Sequence, residues 1–236
     1  MVVSFNDDIE ILSEFTTNRR NLHHAIQRAR TDDGTRLYDA VDMVINQQLS
    51  RVSGRKAIVL FTDGVDTTSR RADYYSNVTD AQELDALIYP VQYNTRQDMN
   101  VGNFPTGRVD IWGTILGGIF GGGRRSRGTA RNDYEVANRY LKELANSTGG
   151  RDYQADSLQN MSQAFANVAE ELRRQYSIGY YPKRAPQAGQ RRFIRVRARQ
   201  PNLAVRTRDS YIFNPSGPTD VVDNTQRNAP TLRTQR

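Results

Sequence analysis

The chain has 236 residues, which is enough for one α/β domain with a smaller appendage. It contains no cysteine, and this excludes a disulfide framework, a thiolate metal site and a cysteine nucleophile. Residues 1–100 carry a net charge of −4 and residues 101–236 a net charge of +11, which together give +7. Because almost all of the positive charge is arginine, we interpret it as a solvated surface and expect no specific nucleic-acid binding.

Helices and strands are predicted from the spacing of apolar residues, which recur every three to four positions in a helix and every second position in a half-buried strand. Helix starts are predicted where a capping residue precedes such a pattern, as at Asn18 or Thr17 and at Ser157. The predicted elements are a hairpin at residues 2–5 and 8–15, helices at 18–30 and 37–49, a strand at 56–62, a helix at 78–86, a strand at 87–93, a helix that carries Val136 and Leu144, a strand at 151–154 and a helix that carries Leu158 and Leu172.

The strongest strand pattern is the continuous apolar run at residues 56–62, which ends at Asp63-Gly64. A strand that is apolar on both faces is typical of the middle of a parallel sheet covered by helices. Because strands and helices alternate, the predicted fold class is α/β, a doubly wound and mostly parallel sheet with helices on both faces. This domain is predicted over residues 1–174.

Residues 95–131 interrupt the alternation of strands and helices. They are rich in Gly and Arg around a hydrophobic island, and a loop this long is unusual in a compact domain. We interpret them as an insertion that packs loosely on its own domain. The alternative is contact with a partner or a membrane surface through residues 111–127. The side chains predicted for that contact are Trp112, Phe120, Arg124 and Arg125.

After the last predicted helix, the apolar period changes from that of a helix to that of a strand. Three antiparallel strands are predicted at residues 175–181, 192–199 and 203–213, and together they form a small β appendage over residues 175–213. Residues 214–236 have few apolar groups and are predicted to be a disordered tail.

Two loops carry candidate metal ligands. Gly34-Thr35 precedes one predicted helix, and Thr62-Asp63-Gly64 ends the strongest strand. In an open parallel sheet, ligands bind outside the carboxyl ends of the strands. An aspartate there, beside a hydroxyl from a neighbouring loop, offers the hard oxygen ligands that Mg²⁺ or Ca²⁺ prefers.

These two loops and their flanking residues resemble a known family. Residues 34–41 (Gly-Thr-Arg-Leu-Tyr-Asp-Ala-Val), followed by residues 58–67 (Ile-Val-Leu-Phe-Thr-Asp-Gly-Val-Asp-Thr), resemble the second and third motifs of the von Willebrand factor type A (VWFA) family. Residues 175–182 and the later Ser210-Tyr211 are similar to its bacterial, VWFA-related branch of acidobacterial type.

The resemblance implies a Rossmann-like fold with a metal-ion-dependent adhesion site (MIDAS). There a divalent cation, Mg²⁺ or else Mn²⁺ or Ca²⁺, joins the domain to an acidic group of a partner protein. By motif match, Thr35 and Asp63 are the metal ligands. The neighbouring loop residues implied to support them are Gly34, Asp39, Gly64 and Asp66.

The family's first motif, Asp-x-Ser-x-Ser, does not occur in this sequence. We therefore expect the family's first strand to be missing and the chain to be an N-terminally truncated fragment. The same resemblance implies an extracytoplasmic or secreted parent protein.

The candidate ligands also have structural interpretations. Asp63 can cap the turn after its strand, since Asp-Gly is a turn signal, and Thr35 can cap the helix that follows it. Asp66 can be a loop acid, and Asp39 can be a solvated acid in the first turn of a helix. The sequence leaves these alternatives open.

The function that the sequence favours is a protein-binding or adhesion module. An enzyme is not expected, because the sequence shows no histidine near an acid, no nucleophile elbow and no phosphate-binding loop. The alternative is a metal-independent structural or assembly protein that makes its contacts through the β appendage and residues 102–131.

Overall fold

The computed structural model describes residues 1–30, 34–93, 131–176, 178–200 and 202–213. Its strands and helices in chain order are β1 (Val2–Phe5), β2 (Ile9–Ser13), α1 (Arg19–Arg28), α2 (Leu37–Asp42), β3 (Lys56–Thr62), α3 (Tyr74–Glu83), β4 (Ala86–Tyr93), α4 (Arg131–Thr148), β5 (Tyr153–Ala155), α5 (Leu158–Arg173), β6 (Arg191–Phe193) and β7 (Ser210–Ile212). The helical path of α2 continues as a π-helical turn, Met43–Gln48, and a 3₁₀ turn, Leu49–Arg51.

Three parallel strands form the central sheet, in the order β3-β4-β5. Lys56 lies opposite Ala86, and Thr62 lies opposite Gln92. The prediction of a parallel sheet flanked by helices is confirmed. The prediction that β3 lies in the middle is wrong for the described residues, since β3 pairs with β4 alone. An apolar run does not give the number of neighbouring strands, and at this edge position Val59 of β3 is 41% exposed.

Helices cover both faces of β4. Alternate side chains of a strand point to opposite faces, and Ile88 and Tyr89 accordingly lie in different apolar clusters. Full burial of one such side chain stabilises the fold by roughly 1.5–3 kcal/mol. The first cluster, from α2, α3, α4 and the sheet, contains Leu37, Val41, Ile45, Leu60, Ala81, Ile88, Tyr140, Leu141 and Leu144. The second, against α5, contains Tyr89, Val91, Tyr93, Tyr153, Ala155, Met161, Ala164 and Val168.

The amino-terminal hairpin forms a separate two-stranded antiparallel sheet. Phe5 of β1 lies opposite Ile9 of β2, and the turn between them is closed by a hydrogen bond from the Asn6 N–H to the Asp8 carbonyl. Phe5 also packs against the first apolar cluster. The predicted hairpin is therefore confirmed.

Side-chain caps set the starts of three helices. The Asn18 side chain accepts hydrogen bonds from backbone N–H groups at the start of α1, and the Ser157 hydroxyl does the same for α5, as predicted. Helix α3 begins with a capping box of Asp73 and Ser76. The predicted helix at residues 78–86 was therefore placed too late, because its capping residue was not recognised.

The carboxyl-terminal appendage contains two paired strands, β6 and β7, and not the predicted three. The described residues of the segment predicted as its first strand, 175–181, form no strand. Two of its tyrosines are almost fully exposed, Tyr176 at 85% and Tyr181 at 98%, and only Tyr180 among the described tyrosines of the segment makes a ring contact, with Tyr211. Alternation of apolar and polar residues produces a strand only where one face is covered.

The appendage lies at the amino ends of the sheet strands. Arg55, directly before β3, donates a hydrogen bond to the Gln175 carbonyl, and Asp85, directly before β4, lies 3.7 Å from the Arg208 guanidinium. Gly149, which precedes β5 with a φ of +81°, packs against the backbone of Arg208. The carboxyl ends of the same strands form the opposite side of the domain.

Several predictions fall outside the described residues. These are the insertion as far as residue 130, with the candidate contact residues Trp112, Phe120, Arg124 and Arg125, and the tail at 214–236. In the described part of the chain, no helix is both long enough and apolar enough to cross a membrane.

Candidate functional site

A crevice of about 110 Å³, here called the carboxyl-edge crevice, opens at the carboxyl ends of the parallel strands. Each strand places a polar side chain there, because parallel strands all end at the same edge of a sheet. Among the described residues, no Lys or Arg side chain lines it, so its two carboxylates give it a negative potential. The lining residues are Asp63, Gln92, Tyr93, Tyr134, Asn138, Gln154 and Asp156.

Asp63 is the partly buried carboxylate of this crevice. Its Oδ1 atom accepts a hydrogen bond of 3.1 Å from the Val65 N–H, and its backbone carbonyl accepts one of 2.9 Å from the Gln92 side chain. The backbone N–H of Asp63 also donates to its own carboxylate. Burial raises the pKa of Asp63 above its ordinary value, and the Val65 N–H opposes that rise. A nearby cation would therefore stabilise this carboxylate more than a solvated one.

Gly64 fixes the turn that carries Asp63. Its φ is +86°, a left-handed conformation that side chains rarely adopt. A Cβ atom at this position would lie 2.9 Å from Leu141 Cδ1 and 3.0 Å from Ala137 Cβ. Helix α4 thus packs directly on the turn, and Asn138 of the crevice lies between these two contact residues in the helix.

The Thr35 loop is bonded to the loop that follows Asp63. The Thr35 N–H donates to the Thr67 hydroxyl at 2.8 Å, and the Thr35 carbonyl accepts from the N–H groups of Thr67 and Thr68. Gly34 lies so close to the Asp7 carboxylate that a Cβ there would overlap it. The structure therefore brings together the two loops that the resemblance pairs, although Thr35 does not line the crevice itself.

The first turn of α2 is capped by side chains of the loop that follows β3. Its N-cap residue is Arg36, whose side chain makes no capping hydrogen bond, so Thr35 is not the cap. Instead the Tyr38 N–H donates to Asp66 Oδ1 at 3.1 Å, and the next N–H donates to the Ser69 hydroxyl. Asp66 thereby joins the loop after Asp63 to the helix after Thr35.

Asp39 makes a second connection between the same segments. Its buried carboxylate accepts hydrogen bonds of 2.8 to 3.3 Å from the backbone N–H groups of Arg70, Arg71 and Ala72. Desolvation raises the pKa of Asp39, but these three hydrogen bonds and the Arg36 guanidinium outweigh it, so the pKa lies below its ordinary value. Asp39 is therefore a buried structural acid and not a solvated one.

A larger cavity, of about 290 Å³, lies beside the hairpin and not at the sheet edge. The guanidinium groups of Arg36 and Arg71 line it, and the charge of Asp39 there is already matched by backbone donors. This lining does not suit a cation. Its other lining residues are Ile9, Ile11, Met43, Gln47 and Gln48.

Metal-ligand chemistry in the described residues is sparse. No group of three or more His, Cys, Asp or Glu side chains in that part of the chain is arranged to hold a metal ion. A cation in the carboxyl-edge crevice would therefore rest on two carboxylates, Asp63 and Asp156, together with amide oxygens and water. Mg²⁺ suits such a site, because it usually keeps several waters and takes one or two carboxylates.

Comparison with known proteins gives a match in the same part of the chain. Residues 1–65 match the family model of the von Willebrand factor type A domain. This match supports a von Willebrand A-type domain. It extends from the hairpin to the turn after β3 and so includes both Thr35 and Asp63.

The remaining comparisons add little to the A-type match. No curated protein matches the chain. The crystal structure of an uncharacterized membrane-spanning protein from Vibrio fischeri aligns with 72% of this chain and 73% of its own, at 21% sequence identity and a TM-score of 0.31. A TM-score this low carries no argument about fold or function.

Sequence reasoning found Asp63 and missed four other polar residues of the crevice. These are Gln92, Asn138, Gln154 and Asp156. Three of them could have been found by applying the rule used for Asp63, that ligands gather at carboxyl ends of strands, to the two later strands. Asn138 gave no such signal, because its place depends on how α4 packs.

Proposed function

We propose that this chain is a protein-binding module, and not an enzyme, that holds a divalent cation in the carboxyl-edge crevice and binds an acidic group of a partner through it. The observation that carries the proposal is the state of Asp63. It is a desolvated carboxylate in a crevice that contains a second carboxylate and, among the described residues, no Lys or Arg side chain. Domains of the A-type family generally mediate protein interactions.

The crevice offers two kinds of oxygen ligand for the ion, carboxylates and amides. Asp63 and Asp156 supply negative charge, and the side chains of Gln92, Gln154 and Asn138 supply neutral oxygen atoms. Thr35 is the other proposed ligand, since its loop is bonded to the loop that follows Asp63. When bound, the cation offers an open coordination position to a carboxylate of the partner.

Two finer assignments belong to this proposal and rest on the family resemblance. One is membership of the bacterial VWFA-related branch of acidobacterial type, and the other is an extracytoplasmic location. Both agree with a module that meets its partners outside the cytoplasm, where Mg²⁺ and Ca²⁺ are available.

Calorimetric titration with Mg²⁺ and Mn²⁺ tests the site. Asp63→Asn keeps the shape of the side chain and removes its charge, so we expect it to weaken binding at least tenfold. Asp152→Asn is the matched control, because Asp152 precedes β5 and does not line the crevice. Equal affinities for the wild type and Asp63→Asn would overturn the proposal, as would an equal loss in both variants.

The pH dependence of the same titration gives a second readout. A metal must displace the proton of a carboxyl group, and burial raises the pKa of Asp63. We therefore expect cation affinity to begin to fall, as pH is lowered, at a higher pH than an ordinary aspartate would give. Asp63→Asn should remove that part of the pH dependence, and an unchanged profile would contradict the assignment.

A further inference from the structure

The β6–β7 hairpin stops pairing before its arms end. Its last backbone hydrogen bond joins the Ile194 N–H to the Asp209 carbonyl, at 2.7 Å. Beyond it, residues 195–199 make no backbone hydrogen bond within the described part of the chain. N–H and C=O groups that continue a strand but pair with no neighbour can form a ladder with another chain. We call residues 195–199 the arginine segment.

The side chains of the arginine segment follow the period of a strand. Arg195, Arg197 and Arg199 alternate with Val196 and Ala198, so a strand here would place the arginines on one face and the aliphatic side chains on the other. All five residues are exposed. Among the described residues, none of the three arginines has an ion pair or a hydrogen bond from its side chain.

Neighbouring arginines behave differently. Arg206 lies 3.4 Å from Glu171, and Arg208 lies 3.7 Å from Asp85, so these two fasten the hairpin to the domain. Residues 175–213 contain nine Lys or Arg residues against one acid, Asp209. The arginine segment is thus a part of a strongly basic appendage whose charges are not paired within the described fold, as are Lys183 and Arg184.

We propose that the arginine segment binds an extended acidic segment of a partner protein, which adds to it as a β-strand. Asp or Glu at every second position of that segment would lie across from the arginines, and opposite charges across a ladder stabilise the pair. Apolar residues in between would cover Val196 and Ala198. A protein fits better than a single-stranded nucleic acid, because no aromatic side chain in the segment could stack on bases.

This surface is independent of the cation site. The β6–β7 hairpin contacts Asp85, directly before β4, and Gly149, which precedes β5, whereas the carboxyl-edge crevice lies at the other ends of these strands. Both surfaces could be occupied at once. Peptide binding at the arginine segment is therefore insensitive to a chelator, which separates a failure of this inference from a failure of the cation proposal.

Fluorescence anisotropy of a labelled peptide of alternating Glu and Val, added to the full chain in the presence of EDTA, tests the inference. An exposed ion pair changes affinity by about two- to threefold, so Arg195→Gln, Arg197→Gln and Arg199→Gln together should weaken binding about tenfold. The matched control replaces the exposed arginines 19, 20 and 51 with Gln, which removes the same charge elsewhere and should leave binding unchanged. Equal weakening in both triple variants would overturn the site, and so would no weakening in either.

Two further probes separate strand addition from attraction of charge alone. The same peptide with every backbone nitrogen methylated keeps its side chains and loses its N–H donors, and it should bind at least tenfold more weakly. A single-stranded thymidine oligonucleotide of equal charge should bind more weakly than the peptide. Undiminished binding of the methylated peptide would overturn strand addition, and tighter binding of the oligonucleotide would overturn the choice of a protein partner.

Discussion

The two ends of the central sheet are built in different ways. At the carboxyl end, buried groups and backbone hydrogen bonds hold the loops: Asp39 binds three successive N–H groups, and Gly64 packs against α4. At the amino end, the β6–β7 hairpin is held by ion pairs with exposed side chains, such as Asp85, which is 81% exposed. The loops at the carboxyl end are therefore preorganised, as a site for a small ion requires. The appendage at the amino end is held more weakly, which suits a surface that binds a peptide.

The two ends also differ in charge. Asp63 and Asp156 line the carboxyl-edge crevice without a basic neighbour in the described residues, whereas the appendage at the amino end carries nine basic residues and one acid. Charge of one sign concentrated on a surface attracts ligands of the other sign. The proposed cation site and the proposed peptide-binding surface therefore lie at ends of the sheet that differ in the sign of their charge.

The largest effect that should distinguish the two ends is at Asp39. Asp39→Ala leaves three backbone donors without their acceptor, and we expect a loss of about 3 kcal/mol in the free energy of unfolding. Urea denaturation measures it. Asp42→Ala in the same helix is the control: Asp42 accepts one side-chain hydrogen bond, from Asn46, and its loss should cost under about 1 kcal/mol. Equal costs would show that the carboxyl end is not held by Asp39.

The contribution of Asp39 has a defined pH dependence. Its pKa is lowered in the folded state, so its stabilisation is fully present above the ordinary aspartate pKa. This stabilisation is lost as the pH falls below the ordinary aspartate pKa and through the lower pKa that Asp39 has in the folded protein. Wild type and Asp39→Ala should therefore converge in stability at acid pH, and a constant difference across that range would contradict this role.

The next largest effect should be at Gly64. Gly64→Ala places a Cβ in a left-handed conformation and against Leu141, and we expect a cost of about 2 kcal/mol. Gly54→Ala is the matched control, since Gly54 has a φ of +88° but nothing within 4 Å of the added Cβ. It should cost about 1 kcal/mol. If thermal denaturation shows the same cost for both, the contact between α4 and the Asp63 turn contributes nothing.

The smallest effect should come from the amino end. Arg208→Gln breaks a pair with the exposed Asp85, and exposed pairs contribute about 0.2–1 kcal/mol. The difference in unfolding free energy should vanish in high salt, because salt screens exposed charges. A loss above about 2 kcal/mol, or one that salt does not reduce, would show that this end is as firmly held as the other.

Local signals predicted much of the fold. Asn18 and Ser157 each precede a helical pattern, and both cap a helix in the structure. The position of β3 could not be predicted in the same way, because the number of strands beside it depends on pairing between distant segments. For the same reason the prediction of a strand at residues 175–181 was wrong: the alternation is present in the sequence, but no partner strand covers it.

The candidate site shows the same limit. Asp63 was found because it ends the strongest strand of the chain. Gln92 and Asp156 could have been found by the same rule, since they lie at the carboxyl ends of β4 and β5, but Asn138 depends on how α4 packs, which the sequence does not state. Asp66 was predicted as a neighbour of the metal ligands or a loop acid, and its hydrogen bond to the start of α2 depends on how two loops meet.

Paramagnetic broadening by Mn²⁺ tests the central claim, that the carboxyl-edge crevice is the cation site, most directly. In spectra of the amide-labelled chain, substoichiometric Mn²⁺ should broaden the backbone resonances of Gly64, Gln92 and Gln154 first. It should leave those of Arg195 and Arg208, at the other end of the sheet, sharp. Broadening confined to another surface, spread equally over both ends, or unchanged in Asp63→Asn would contradict the account.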